Sequence, residues 1–218
     1  LLIDFKLDGK TVVVIGGGLE CCRKIQNIVD SNADITVVSS EFSEGIKSYA
    51  EQGKIRLHRA QVKDAHDFVD RLNPKPDMLM AVTNNSELNI QLVKAAKKVG
   101  CIVYCVTDPE LSDFILPAVA KVGDVKIAVS TGGKSPAMAR ELRQRIEKIV
   151  TPVDLLAIEL QFYLRKLLKN SVSDQHERSR LLNETLNNVE IKQALSQSNL
   201  SAAKELALKQ LKNKEAVT

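Results

Sequence analysis

Apolar positions fall into two alternating rhythms along the first half of the chain. Short β-branched runs read as strands: "TVVVIG" from Thr11, "DITVVSS" from Asp34, "KIRLHRA" from Lys54, "PDMLMAVT" from Pro76 and "CIVYCV" from Cys101. Stretches with helical spacing separate them: about a dozen residues after the glycines at 16–18, another after the second strand, and one from Asn85 to Val99. Gly53 and Gly100 each stand just ahead of a strand, where a helix ends. Strands alternating with helices in this way predict a parallel sheet with helices on both faces.

The rhythm changes after Pro117. "AVAKVGDVKIAVSTGG" predicts two strands joined by a turn at Gly123-Asp124, and Ser135 and Pro136 then supply an N-cap and a first helical residue. Met138, Leu142, Ile146 and Ile149 mark one apolar face of that helix. From Thr151, "VDLLAIELQFYLRKLLKN" and "ERSRLLNETLNNVEIKQAL" predict packed helices, and "SAAKELALKQLKNKEAVT" a last helix that frays at its tail. The expected fold is α/β: a Rossmann-like doubly wound parallel sheet over residues 1–112, a small α+β segment over 113–150, and a helical domain over 151–218.

Composition narrows the partners. Of 218 residues, 44% are hydrophobic and 27% charged, enough for a folded core without disulfide staples. Only 4% are aromatic and there is no Trp, which leaves little for stacking on bases, so nucleic acid is not expected. The net charge of +4 is mild and dispersed, which suits a polyanionic small molecule. No stretch has the length of a membrane span, and "LLIDFKLDGK" lacks the pattern of a signal peptide, so a cytoplasmic protein is expected. Cys21, Cys22, Cys101 and Cys105 read as reduced structural thiols, and no His or Cys spacing predicts a metal site.

Two stretches carry candidate chemistry. In "VVVIGGGLECCRK", Gly16 and Gly18 meet the first two positions of a Gly-x-Gly-x-x-Gly turn, and Cys21, still small, takes the third. The first glycine permits the tight turn and the second lets backbone approach a pyrophosphate. Gly16, Gly17, Gly18, Leu19 and Glu20 are therefore candidate cofactor contacts, joined by Ser39, Ser40 and Glu41 closing the second strand and by Thr83 and Asn84 closing the fourth. With serines where an acidic residue is usual, the motif leaves NAD and NADP open. In "STGGKSPAMARELRQRIE", Ser130, Thr131, Gly132, Lys134 and Ser135 bring hydroxyls, backbone donors and a cation to a helix start, with Arg140 and Arg143 nearby, as an anion site requires.

"VVVIGGG…RK", "AVTNNSELN", "TDPELSDFILPA" and "STGGKSPAMARELRQRIE", in this order, resemble the precorrin-2 dehydrogenase and sirohydrochlorin ferrochelatase family of siroheme biosynthesis. The likeness spans the chain, and "ERSRLLNETL" looks like a segment of the family's intertwined dimer. It implies NAD as cofactor, oxidation of precorrin-2 to sirohydrochlorin, ferrous ion insertion in some members, and a homodimer built through residues 113–150. It places a catalytic carboxylate just before the Pro-Glu-Leu stretch. Aligned on Pro109 without a gap, the family aspartate falls on Thr107, and a one-residue contraction of the loop brings it to Asp108, the candidate general base. Thr131 matches a substrate-region serine; Leu19, Glu20, Ser40 and Glu41 match cofactor contacts. Two alternatives from other classes stand beside this reading: an NAD-binding regulatory module, and a tetrapyrrole- or metal-handling relative without dehydrogenase activity.

Overall fold

A computed structural model describes residues 2–214. Five strands, β1 (Thr11–Ile15), β2 (Asp34–Ser39), β3 (Arg56–Arg59), β4 (Met78–Ala81) and β5 (Ile102–Cys105), form one parallel sheet in the order β3-β2-β1-β4-β5. The order reverses at β1, so the carboxyl ends of β1, β2 and β4 border a crevice.

The two-residue period of the strands sorts the core into two faces. Val12 and Val14 join Ile35, Val37, Met78 and Met80 on one face, where α1 (Leu19–Ile25) and α2 (Glu44–Glu51) contribute Cys21, Ile25 and Ile46. Val13 and Ile15 join Val38, Leu79, Ala81 and Val103 on the other, where α3 (Ala65–Arg71) and α4 (Ser86–Lys98) contribute Ala65, Val69, Leu92, Val93 and Ala96. Each large aliphatic side chain buried this way contributes about 1.5–3 kcal/mol. Helices on both faces of a parallel sheet are the doubly wound arrangement expected from the sequence.

Two elements differ from expectation. α1 has seven residues rather than a dozen. Past Ile25 the chain continues in tight turns, and the Asn27 amide donates to the carbonyls of Arg23 and Lys24, a local bond that competes with helix continuation. α3, unanticipated, is anchored by only two buried residues, Ala65 and Val69, and is started by the Asp64 carboxylate accepting from the Asp67 amide at 2.9 Å. β3 is exposed along its length, as an edge strand paired only with β2 can be. At the opposite edge the loop after β5 folds back: Asp113 accepts from the Val103 amide at 2.9 Å and the Ser112 hydroxyl from the Cys105 amide at 2.9 Å. Those side chains occupy the donors that a sixth strand would have used.

The chain divides into two compact units between Pro117 and Ala118. The second opens with the antiparallel pair β6 (Ala118–Val122) and β7 (Val125–Val129), turning at Gly123 with φ of 55°. Helix α5 (Pro136–Glu147) follows, yet only Ala120 and Ala139 are buried in these three elements. Among the described residues the apolar face expected on α5 is covered only in part: Leu142 and Ile146 are half-buried, Met138 is 47% exposed, and Ile149 lies past the helix end at 70%.

Helices α6 (Pro152–Ser171), α7 (Gln175–Asn187), α8 (Val189–Ser196) and α9 (Leu200–Lys212) form a separate core. Leu160, Leu164 and Leu168, four apart on α6, meet Leu181, Ile191, Leu195, Ala203, Ala207 and Leu211 there. α6 starts with a capping box in which Thr151 and Asp154 satisfy each other's backbone amides. The expected frayed tail falls on residues 215–218, outside the described residues.

Candidate functional site

A cleft of about 780 Å³ opens at the carboxyl edge of the sheet in the first unit. All ten residues singled out for a cofactor line it: Gly16, Gly17, Gly18, Leu19, Glu20, Ser39, Ser40, Glu41, Thr83 and Asn84. Each of the three glycines meets a different constraint. Gly16 has φ of 123°, and a Cβ on it would stand 2.2 Å from the Val82 carbonyl oxygen. A Cβ on Gly17 would stand 2.0 Å from the Glu41 carbonyl oxygen, so only glycine lets the loop after β2 pass so close. A Cβ on Gly18 would meet nothing within 4 Å. The cleft is therefore open beside Gly18, the geometry that a close backbone approach to a pyrophosphate requires.

Other groups agree with a polar, ligand-sized cleft. Ser43 lines it with a hydroxyl that is buried and has no partner among the described residues, although Ser43 stands at the N-cap of α2. The Thr83 loop is fixed by Asn89, a fully buried amide on α4. Its oxygen accepts from the Thr83 amide at 3.0 Å and the Thr83 hydroxyl at 2.7 Å, while its nitrogen donates to the Thr83 carbonyl at 3.0 Å. Burial lifts the Cys21 thiol to about 12, with Cys22 adding to it, so at the third glycine position it packs as a small inert side chain. Burial also pushes the Glu20 carboxyl up, but Lys24 and Arg23 beside it outweigh that and hold it below the ordinary range.

Asp108 and Thr107 follow Val106, the last cleft-lining residue after β5. Asp108 starts the 3-10 turn Pro109–Leu111, its Oδ1 accepting from the Glu110 amide at 3.1 Å. The Thr107 hydroxyl lies 3.5 Å from the Cys105 sulfur.

Residues 3–118 match the family model of putative NAD(P)-binding domains, and residues 122–149 match that of the sirohaem biosynthesis protein central region. A precorrin-2 dehydrogenase of Methanosarcina barkeri is 33% identical over 93% of this chain and 89% of its own length. The chain belongs to the precorrin-2 dehydrogenase family. A family member from Bacillus subtilis is 30% identical over 69% of this chain and 88% of its own length. The siroheme synthase 1 of Aeromonas salmonicida is 31% identical over 95% of this chain, which spans only 43% of that longer relative. Among solved structures, SirC, a precorrin-2 dehydrogenase, has the same fold, with a TM-score of 0.73 at 21% identity over 96% of this chain and 99% of that one.

The second candidate constellation of this family member lies in the second unit. The Thr131 hydroxyl donates to the Ser135 carbonyl and accepts from the Ser135 amide, both at 3.1 Å. The Ser130 hydroxyl accepts from the Gly132 amide at 3.3 Å, and the Ser135 hydroxyl caps α5 through the Met138 amide at 3.2 Å. Gly132 and Gly133, at φ of 61° and 79°, make the reversal that Lys134 needs to reach the helix start. The loop is thus pinned by its own hydroxyls, with the Lys134 ammonium exposed.

Sequence reasoning missed Ser43, Asn89 and the Ala60–Val62 wall of the cleft. Asn89 carried no signal, since one asparagine in an amphipathic helix looks like any polar-face residue. Among the described residues no helix is long and apolar enough to cross a membrane.

Proposed function

We propose that this chain oxidises precorrin-2 to sirohydrochlorin with NAD, in siroheme biosynthesis. The observation that carries the reading is the cleft itself: in a family of precorrin-2 dehydrogenases, the glycine turn, the Ser39–Glu41 loop and the Thr83–Asn84 loop converge beside space that Gly18 leaves free. Gly16 to Glu20 would hold the pyrophosphate side, Ser39 to Glu41 the adenosine side, and Thr83 and Asn84 the approach to the nicotinamide. Bound NAD supplies the hydride acceptor.

Removal of two hydrogens from the substrate leaves one proton to be taken when the hydride departs. Asp108 takes that proton on Oδ2, because Oδ1 is already committed to the Glu110 amide. Thr107, one residue before, contacts the substrate. Precorrin-2 carries eight carboxylates, and Ser130, Thr131, Gly132, Lys134 and Ser135 are suited to bind some of them through hydroxyls, amides and one exposed ammonium. A homodimer formed through residues 113–150, with residues 151–218 as a separate helical region, accounts for the uncovered part of the α5 face. Ferrous ion enters, in this reading, as a second substrate for insertion into sirohydrochlorin, and the four unpaired cysteines, three of them buried, fit a cytoplasmic setting.

The test is anaerobic conversion of precorrin-2, followed by sirohydrochlorin absorbance with and without NAD and then with ferrous ion added. Wild type turns over only with NAD, and Asp108→Asn lowers kcat by about 10²–10⁴-fold. Turnover untouched by Asp108→Asn but lost in Thr107→Val would move the catalytic role one residue back. NAD binding without any turnover would favour the regulatory or carrier reading.

A further inference from the structure

Glu20 poses an electrostatic problem for the proposed cofactor site. It lines the cleft beside the glycine turn, where an exposed carboxylate would repel a dinucleotide's two phosphate charges. Both of its oxygens are engaged: Lys24 Nζ stands 3.1 Å from Oε1, and Arg23 Nη1 stands 3.2 Å from Oε2. The two cations are not equivalent. Arg23 is 74% exposed, so water and salt screen its contribution. The Lys24 side chain is only 24% exposed, with its ammonium 5.5 Å from the centre of the Tyr104 ring, which itself packs on Phe114 at 5.6 Å. Lys24 is thus tethered from the β5 side and, among the described residues, has one carboxylate, Glu20, within ion-pair distance. It does not line the cleft, so it acts on a ligand through Glu20.

We infer that Lys24, held against Tyr104, sets the cofactor affinity of the cleft by neutralising Glu20 at its rim. This rests on the dinucleotide reading of the cleft. It makes Lys24 a positioning residue: Lys24 holds the Glu20 carboxylate in its ion pair, and without Lys24 that carboxylate is free to turn toward the phosphates.

NAD binding to the full chain, measured by titration calorimetry, tests this with Lys24→Met, Glu20→Gln and the double variant. Lys24→Met is expected to weaken NAD binding about tenfold at low salt, with the difference shrinking as salt is added. In the Glu20→Gln background the same change is expected to alter the dissociation constant by less than about twofold, since no carboxylate is left to release and the Lys24 charge itself stands outside the cleft lining. A structural role for Lys24 would instead give an equal loss in both backgrounds, and that result overturns the inference, as does no loss in either. Lys24→Gln, which keeps a polar head beside Tyr104, is read the same way if Lys24→Met does not fold. Wild type that binds no NAD would remove the dinucleotide reading and this inference together. Wild type that binds NAD, with Lys24→Met binding equally well, would remove this inference alone.

Discussion

Gly16 and Gly18 sit two residues apart in one turn and answer to different demands. Gly16 is required by the fold: its φ of 123° and a backbone oxygen 2.2 Å from a would-be Cβ leave no room for a side chain. Gly16→Ala should destabilise the first unit by roughly 3 kcal/mol, visible as a lower denaturation midpoint without any ligand. Gly18 has an ordinary extended backbone and open space around it. Gly18→Ala should cost under about 1 kcal/mol, through poorer capping of α1, yet weaken NAD binding at least about tenfold, because the new methyl group enters the cleft. Equal loss of stability in both variants would mean that the second glycine, too, is there for the chain. The spacing of the glycines was legible in the sequence. Which of them serves packing and which serves a ligand was not, because that depends on where Val82 and Glu41 arrive from other strands.

At the level of elements, strands were easier to read than the connections that shape the cleft. β1, β2 and β4 announce themselves through apolar runs that are buried on both faces. The polar stretch of α3 carries no helical signal because it offers only two buried anchors, and α1 stops short of its apolar spacing where the Asn27 amide bonds back to the preceding turn. The fold-back of Ser112 and Asp113 onto β5 was half legible: Asp113 reads as structural from its place before Phe114, but the strand edge it covers is set by the tertiary fold. Asn89 belongs to the same class. It joins α4 to the end of β4 by three hydrogen bonds and thereby places Thr83 at the cleft. Asn89→Leu, of similar size, leaves the half-buried Thr83 amide and carbonyl without their Asn89 partners. The expected outcome is a loss of about 2–3 kcal/mol in stability together with a raised KM for NAD. A raised KM with unchanged stability would show that water replaces the amide and that only the loop position was lost.

At the scale of the whole molecule, the question is what covers the second unit's first three elements. β6, β7 and α5 bury only two alanines among them, while Val119 on β6 is 36% exposed and Met138 and Ile149 are more exposed still. A two-stranded pair with one helix is too small to be stable alone and needs further apolar contact. The helical core of α6 to α9 closes on its own leucines and alanines, and Leu155 of α6 packs on the β6–β7 turn at Gly123, yet Val119 and Met138 stay exposed. A second copy of the chain covers them in the proposed homodimer, and isologous contact through α5 would bring Met138 against the same patch of its partner. The amphipathic stripe of α5 was readable from its spacing, but the object it faces is absent from a single chain's pattern. Sedimentation is expected to give a dimer for wild type and a monomer for Val119→Lys combined with Met138→Glu, since buried charge at such a contact costs several kcal/mol. The double variant should still bind NAD, because the cleft lies wholly in residues of the first unit. A variant that stays dimeric and active would place the contact elsewhere. One that turns monomeric and loses precorrin-2 turnover while keeping NAD would tie the substrate side, through Ser130 to Ser135 beside the same helix, to the assembly.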